Sequence, residues 1–219
     1  MEYKLYKGDC LEEMKKIEDK SVDCILCGLP YGITGYWWDV IIPFEPLWEQ
    51  YKRILKDDGV ALLFGAEPFA SKLRLSNTEM YKYDLYWLKD RPRHGENLDV
   101  KPSSSVETIS VFSFGPWGNF PKYKRSEATE MSQLHFERIA LGTYKHPTPM
   151  PIGLACELLK CYTDEGAVVL DNTMGCGNCG VACAIMNRNF IGIEQDKNYF
   201  KTAESEIKKA SAYYNGTRV

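Results

Sequence analysis

The apolar positions of the chain fall into short continuous runs that alternate with stretches of helical spacing. Val22, Cys24, Ile25, Leu26 and Cys27 form one run, within Ser21 to Tyr31, that ends in the breaker GLPYG. From about Pro46 to Leu55, Leu47, Tyr51 and Ile54 or Leu55 recur at helical intervals and predict a helix with one apolar face. GVALLF, Gly59 to Phe64, follows as a buried strand, and VETISVFSF, Val106 to Phe114, reads as another. AVVLDNTMGCGNCG, Ala167 to Gly180, passes from a strand into a glycine-rich turn, and VACAIMN continues it as a helix. FIGIEQD then reads as a short strand ending in acids, and about Asn198 to Tyr213 returns to helical spacing. Strand, glycine turn and helix in repeated order predict βαβ units and a largely parallel sheet.

Between about Arg91 and Tyr144 the pattern weakens outside Val106 to Phe114. RPRHGENLDVKPSSS and GPWGNFPKYKRSEATE are rich in Pro, Gly, Ser, Asn and charge. Loops this long are uncommon in a compact domain unless they recognise a substrate or are mobile. The 219 residues suit a single domain, 1–219, with a variable insert at about 91–144.

Composition changes this picture in three ways. A hydrophobic content of 44% argues against disorder, and no run approaches the ~20 apolar residues of a membrane helix. Eight cysteines without a secretory leader suit a reducing cytoplasm, so a cytoplasmic location is expected. A net charge of −3 and a pI near 5.7 supply no whole-chain attraction to nucleic acid, so DNA binding has to rest on a local basic patch.

Candidate chemistry begins at MGCGNCG. Gly175, Gly177 and Gly180 let the chain bend and let a ligand approach the backbone. Glu194, 14 positions beyond Gly180 at the end of the next strand, can accept hydrogen bonds from ribose hydroxyls. A glycine turn alone is also a plain structural turn; strand, turn, helix, strand and acid in this order favour a nucleotide-like cofactor.

DNTMGCGNCGVACAIMNRNFIGIEQDKNYF resembles the cofactor segment of the DNA N6-adenine and N4-cytosine methyltransferases. KHPTPMPIGLACELLKCYT before it is similar to their His-Pro-Thr motif, and GDCLEEMKKI with SVDCILCGLPYG resembles their adenine-contact strand and catalytic loop. Catalytic loop first and cofactor loop last is the permuted, β-type order, and IIPFEPLWEQYKRILKDDGVALLFGAEPFASKLRLSN resembles the small phage-type members. The resemblance covers residues 4–89 and 106–209. It implies a Rossmann-like S-adenosylmethionine-dependent methyltransferase fold of the α/β class, with a mostly parallel seven-stranded sheet flanked by helices. It also implies S-adenosylmethionine as cofactor, DNA as substrate, no membrane, and room for a homodimer or protein partner.

Carried over by position, Asp9 binds the cofactor adenine amine, Glu194 the ribose, and Gly175 and Gly177 lie against the methionine moiety with Thr148 nearby. Cys10, Asp171, Met174 and Gln195 join the implied cofactor site. On residue grounds alone Asp9 is equally a helix N-cap before LEEMKKI.

The family signature at the catalytic loop is Asp, Asn or Ser before Pro-Pro-Tyr or Leu-Pro-Tyr. An exocyclic amine is a poor nucleophile, and an oxygen acceptor together with a backbone carbonyl draws its nitrogen towards sp³ while an aromatic ring stacks on the flipped base. Here the loop is Gly28-Leu29-Pro30-Tyr31, so Pro30 and the stacking Tyr31 stand but the side-chain acceptor does not. The Leu29 carbonyl remains as one acceptor, and losing the other is worth about 10²–10³ in rate. Val106-Glu107 stands where the family has His-Glu, and Pro149-Met150 where it has Gln-Lys; Arg91, Arg93 and Lys101 are offset by Glu96 and Asp99. Asp39 can reach the pocket as a substitute or act as a turn acid. Tyr36, Trp37 and Trp38 fit base stacking, core packing or a dimer interface.

Cys24-x-x-Cys27 and Cys176-x-x-Cys179 have zinc-pair spacing, but alternation separates Cys24 from Cys27, and buried thiols are common core residues. His94, His135 and His146 have no ligand spacing, so no metal is expected. The leading expectation is methyl transfer to a DNA amine, adenine N6 first. The rivals are a pseudoenzyme that binds cofactor, DNA or a protein partner as a regulator in phage–host conflict, and an enzyme acting on another substrate.

Overall fold

The computed structural model describes residues 1–93, 104–115, 133–136 and 146–216. Its elements run β1 (Tyr3–Lys7), α1 (Cys10–Met14), β2 (Val22–Cys27), α2 (Phe44–Ile54), β3 (Leu55–Gly65), α3 (Phe69–Ser76), β4 (Tyr81–Arg93), β5 (Ser104–Ser113) and β6 (Gln133–Phe136). The chain continues with α4 (Ile152–Tyr162), β7 (Val168–Asp171), α5 (Asn178–Met186), β8 (Asn189–Glu194) and α6 (Lys197–Gly216). Helix α2 begins before the expected Pro46 because Pro46 sits in the first turn, where its missing N–H has no intrahelical partner to lose.

The strands form one eight-stranded sheet in the order β1-β8-β7-β2-β3-β5-β4-β6. Every described pairing is parallel except those that β5 makes with β3 and β4. The sheet therefore has one strand more than the seven expected. The extra strand, β6, is four residues long with Leu134 its one fully buried side chain, too little to stand out from the polar segment around it.

Alternation along the strands divides the core into two layers. Leu26, Leu62 and Ile109 face α4, α5 and α6, whereas Ile25, Leu63 and Phe112 face α1, α2 and α3. Cys24 belongs to the first layer and Cys27 to the second. The crossover β2–α2–β3 moves one way along the sheet and β7–α5–β8 moves the other. Their strands, β2 and β7, are neighbours, so the loops after them diverge and open a crevice at the carboxyl edge. Among the described residues no helix is long and apolar enough to cross a membrane.

Candidate functional site

That crevice holds a cavity of about 460 Å³. It is lined at one end by Asp9, Cys10, Gly175, Glu194 and Gln195, and at the other by Tyr31, Phe64, Trp87, Lys89 and Glu107. Asp171, Met174, Thr148 and the Gly28-Leu29-Pro30 turn line the stretch between. One volume thus collects the sequence-derived candidates except Gly177, Gly180 and Tyr36.

The cofactor-side geometry follows from local backbone needs. Asp9 caps α1, its Oδ1 accepting from the N–H groups of Leu11 (2.9 Å) and Glu12 (3.3 Å). Both bonds fall on one oxygen, so the cap leaves Oδ2 for a ligand, and the two readings of Asp9 are compatible. Glu194 ends β8 and pins the glycine turn: Oε2 accepts from Gly175 N–H (2.9 Å) and Oε1 from Asp196 N–H (2.7 Å). Burial raises the Glu194 pKa above its ordinary value against these bonds. Asp171 is buried, which pushes its carboxyl up to about 8 despite a bond from Thr173 N–H, with Glu194 adding to the rise.

The three glycines divide by role. Gly175 has φ +53°, and a Cβ there would lie 3.3 Å from the His146 ring. Gly177, at φ +87°, does not line the cavity; a Cβ there would meet Ala203 Cα at 2.9 Å. At Gly180 a Cβ would meet Ile207 at 2.6 Å and Phe190 at 2.8 Å. Gly177 and Gly180 therefore admit α6 and β8 to the back of the turn, a packing role in place of the expected ligand approach, while the left-handed Gly177 also supplies the expected bend.

His146, from the HPT segment, packs on Tyr199 and Trp38 with ring centroids 4.5 and 5.3 Å away. Its Nδ1 accepts from Thr148 N–H (3.2 Å), and burial lowers its pKa to about 4. The Met150 carbonyl accepts from Asn178 Nδ2 (2.7 Å), which ties this segment to α5.

At the other end of the cavity, Tyr31 stacks on Phe69 at 5.1 Å, and its hydroxyl donates to Glu107 Oε2 (3.3 Å). Burial and the neighbouring Glu107 hold this phenol well above its ordinary pKa. The Gly28 carbonyl accepts from Thr173 Oγ1 (3.1 Å), and a Cβ at Gly28 would have no atom within 4 Å. Asp39 is buried and clasps its own loop, accepting from the N–H groups of Gly32, Ile33 and Thr34 and from Thr34 Oγ1. Burial works to raise its pKa, but these bonds outweigh burial and hold it low. The turn-acid reading of Asp39 is the one its contacts match. Of the aromatic run, Tyr36 stacks on Trp38 at 5.2 Å, whereas Trp37 is 67% exposed.

Sequence reasoning missed Phe64, Trp87 and Lys89 and left Glu107 without a role. Each lies where a strand's alternating apolar row runs into the carboxyl edge, a position that extending the row would have reached. The described cysteines are free thiols, and among the described residues no His, Cys, Asp and Glu group is arranged to hold a metal. His94, Glu96, Asp99, Lys101 and most of the 91–144 segment lie outside the described residues.

Crossovers diverging from a switch point, with a glycine turn and an acid at adjacent strand ends, are the marks of an α/β fold that binds nucleotide-like cofactors, here with the antiparallel β5 between β3 and β4. The model of the N6/N4 DNA methylases matches residues 23–205, and the chain belongs to that family. Type II methyltransferase M2.LlaDCHI of Lactococcus lactis subsp. cremoris is 35% identical, over 95% of this chain and 90% of its own. The M1.HpyAVI–SAM complex superposes with a TM-score of 0.72 at 23% identity, covering 94% of this chain and 98% of that one. PvuII DNA methyltransferase, described as cytosine-N4-specific, gives 0.78 at 15% identity, covering 98% and 92%.

Proposed function

We propose that this protein transfers a methyl group from S-adenosylmethionine to an exocyclic amine of a DNA base, adenine N6 first. The observation that carries the reading is the single cavity joining the Glu194–Gly175 turn to the Tyr31 loop. The residues present suit the cofactor. Asp9 Oδ2 and the Glu194 carboxylate would offer acceptors to an adenine amine and ribose hydroxyls. Asn172 lines the cavity beside Cys10 and is fixed from behind, its Oδ1 accepting from Tyr51 Oη (2.7 Å). Bound S-adenosylmethionine supplies an electrophilic methyl.

This chain's own residues then bind and orient. Phe69 backs the Tyr31 ring, which lines the cavity where a base turned out of the duplex would stack. The raised phenol pKa keeps that ring neutral. The Leu29 carbonyl accepts one amine N–H, and the apolar walls of Phe64 and Trp87 exclude water. Gly28 also favours a second reading, binding without catalysis, because it removes the side-chain acceptor of the family's loop.

Purified protein given methyl-labelled cofactor and unmethylated DNA is expected to yield N6-methyladenine on nucleoside analysis. Tight cofactor binding by calorimetry with no transfer would leave the binding reading. Absence of cofactor binding would sink both.

A further inference from the structure

The rows of side chains that approach Gly28 along one sheet face end in a charged pair. Leu26 on β2, Phe64 on β3, Ile109 on β5 and Trp87 on β4 belong to one core layer. Two residues further, alternation brings each of three rows to the cavity rim: Gly28 after Leu26, Glu107 before Ile109, and Lys89 after Trp87. Glu107 is at the correct edge because β5 runs antiparallel, so its early residues lie beside the carboxyl ends of the others. Only β3 separates the β2 and β5 rows, and open space lies directly before Gly28.

Glu107 is held from two sides. Lys89 Nζ donates to Oε1, Tyr31 Oη donates to Oε2, and the Lys89 ammonium sits 4.5 Å from the Trp87 ring centroid. The Lys89 side chain is only 8% exposed. A charge pair taken this far out of water is costly unless well placed, and the sheet does not need it for its core. A carboxylate has about four lone-pair sites, of which Lys89 and Tyr31 use two.

We infer that Glu107, oriented by Lys89 and Tyr31, accepts the target amine in place of the side chain that Gly28 lacks. This inference rests on the proposed amino-methyl transfer. In that step the amine nitrogen forms a bond to the methyl carbon, and the pair of the breaking C–S bond stays on sulfur. The nitrogen sheds one proton, for which the Glu107 carboxylate is the acceptor. Glu107 is then a catalytic residue and Lys89 a positioning residue.

The test compares two oligonucleotides in the presence of a non-reactive cofactor analogue, each with the target base opposite an abasic site. One carries adenine and the other purine, which lacks only the exocyclic amine. The native protein is expected to bind the adenine strand about tenfold or more tightly, the scale of a hydrogen bond to a charged group. Glu107→Ala should erase that preference while binding the purine strand as before. Glu107→Gln keeps the shape if the alanine variant fails to fold; Lys89 then holds its oxygen and turns an NH2 towards the amine, so the preference is again lost. With the true cofactor, Glu107→Ala should slow transfer about 10²–10³-fold, and adding Gly28→Asp should recover at least tenfold. No amine preference in the native protein, or one that survives both Glu107 variants, overturns the inference. A preference lost on Glu107→Ala without methyl transfer to any DNA would uphold the acceptor and overturn the proposed activity alone.

Discussion

Removing the Asp39 carboxylate tests whether the loop between β2 and α2 depends on a local clasp. Ile33, Tyr36, Trp37 and Val40 are 37%, 48%, 67% and 68% exposed, so apolar burial at these four positions does little to hold the stretch that Asp39 clasps. Asp39 accepts four hydrogen bonds, at 2.9, 2.9, 2.6 and 2.7 Å. With about 1 kcal/mol net for each, because the freed donors regain water, Asp39→Ala should weaken loop closure by about 3–4 kcal/mol. The core strands are untouched, so the cost should appear as local opening with little change in Tm. Hydrogen exchange at the Gly32, Ile33 and Thr34 amides should accelerate on the order of 10²–10³-fold, while amides of β2 and β3 keep their protection. Asp39→Asn should fall between, since three of the four donors reach Oδ2 and a single amide oxygen can serve them. The pKa of Asp39 is held below its ordinary 3.8, so the clasp is intact above that pH and is lost as pH falls through the folded value. Unchanged exchange at those three amides in a folded Asp39→Ala protein would refute the reasoning.

Three further outcomes follow from the glycine turn and the His146 segment against it. Gly175→Ala forces a side chain into left-handed backbone and against the His146 ring, and calorimetry should show cofactor affinity falling about tenfold or more. Gly180→Ala overpacks α5 against Ile207 and Phe190 and should lower stability by about 1–3 kcal/mol in denaturant titration without touching the cavity. His146 is partly buried with a pKa lowered from 6.5 to about 4, so the unfolded chain takes up its proton first; stability should drop as pH falls from 6.5 towards 4, and His146→Gln should flatten that slope in thermal scans.

The parts of the fold legible beforehand were those whose burial is written in one short segment. The apolar runs at 22–27 and 59–64 and the glycine turn after Asp171 mark β2, β3 and the β7–α5 junction because each side chain there is buried or the backbone demands glycine. Strand β6 and the split of labour among Gly175, Gly177 and Gly180 were not legible, since both depend on partners distant in sequence: β4 for the strand, and α6 for two of the glycines. The same limit hid the Lys89–Glu107 pair, whose members are 18 positions apart and meet only when β4 and β5 zip together. Asp39 was legible as a turn acid because all its donors lie within seven residues.

The Thr173 hydroxyl bond to the Gly28 carbonyl joins the loop after β7 to the loop after β2 across the switch point. On the proposed function, a cofactor that orders the glycine turn would also settle the Tyr31 turn, with the entropy of ordering spent before the base arrives. Thermodynamic linkage makes the effect reciprocal: whatever factor the cofactor adds to DNA affinity, DNA must add to cofactor affinity. On the proposed function, this one hydroxyl is the link through which the two ligands would be coupled.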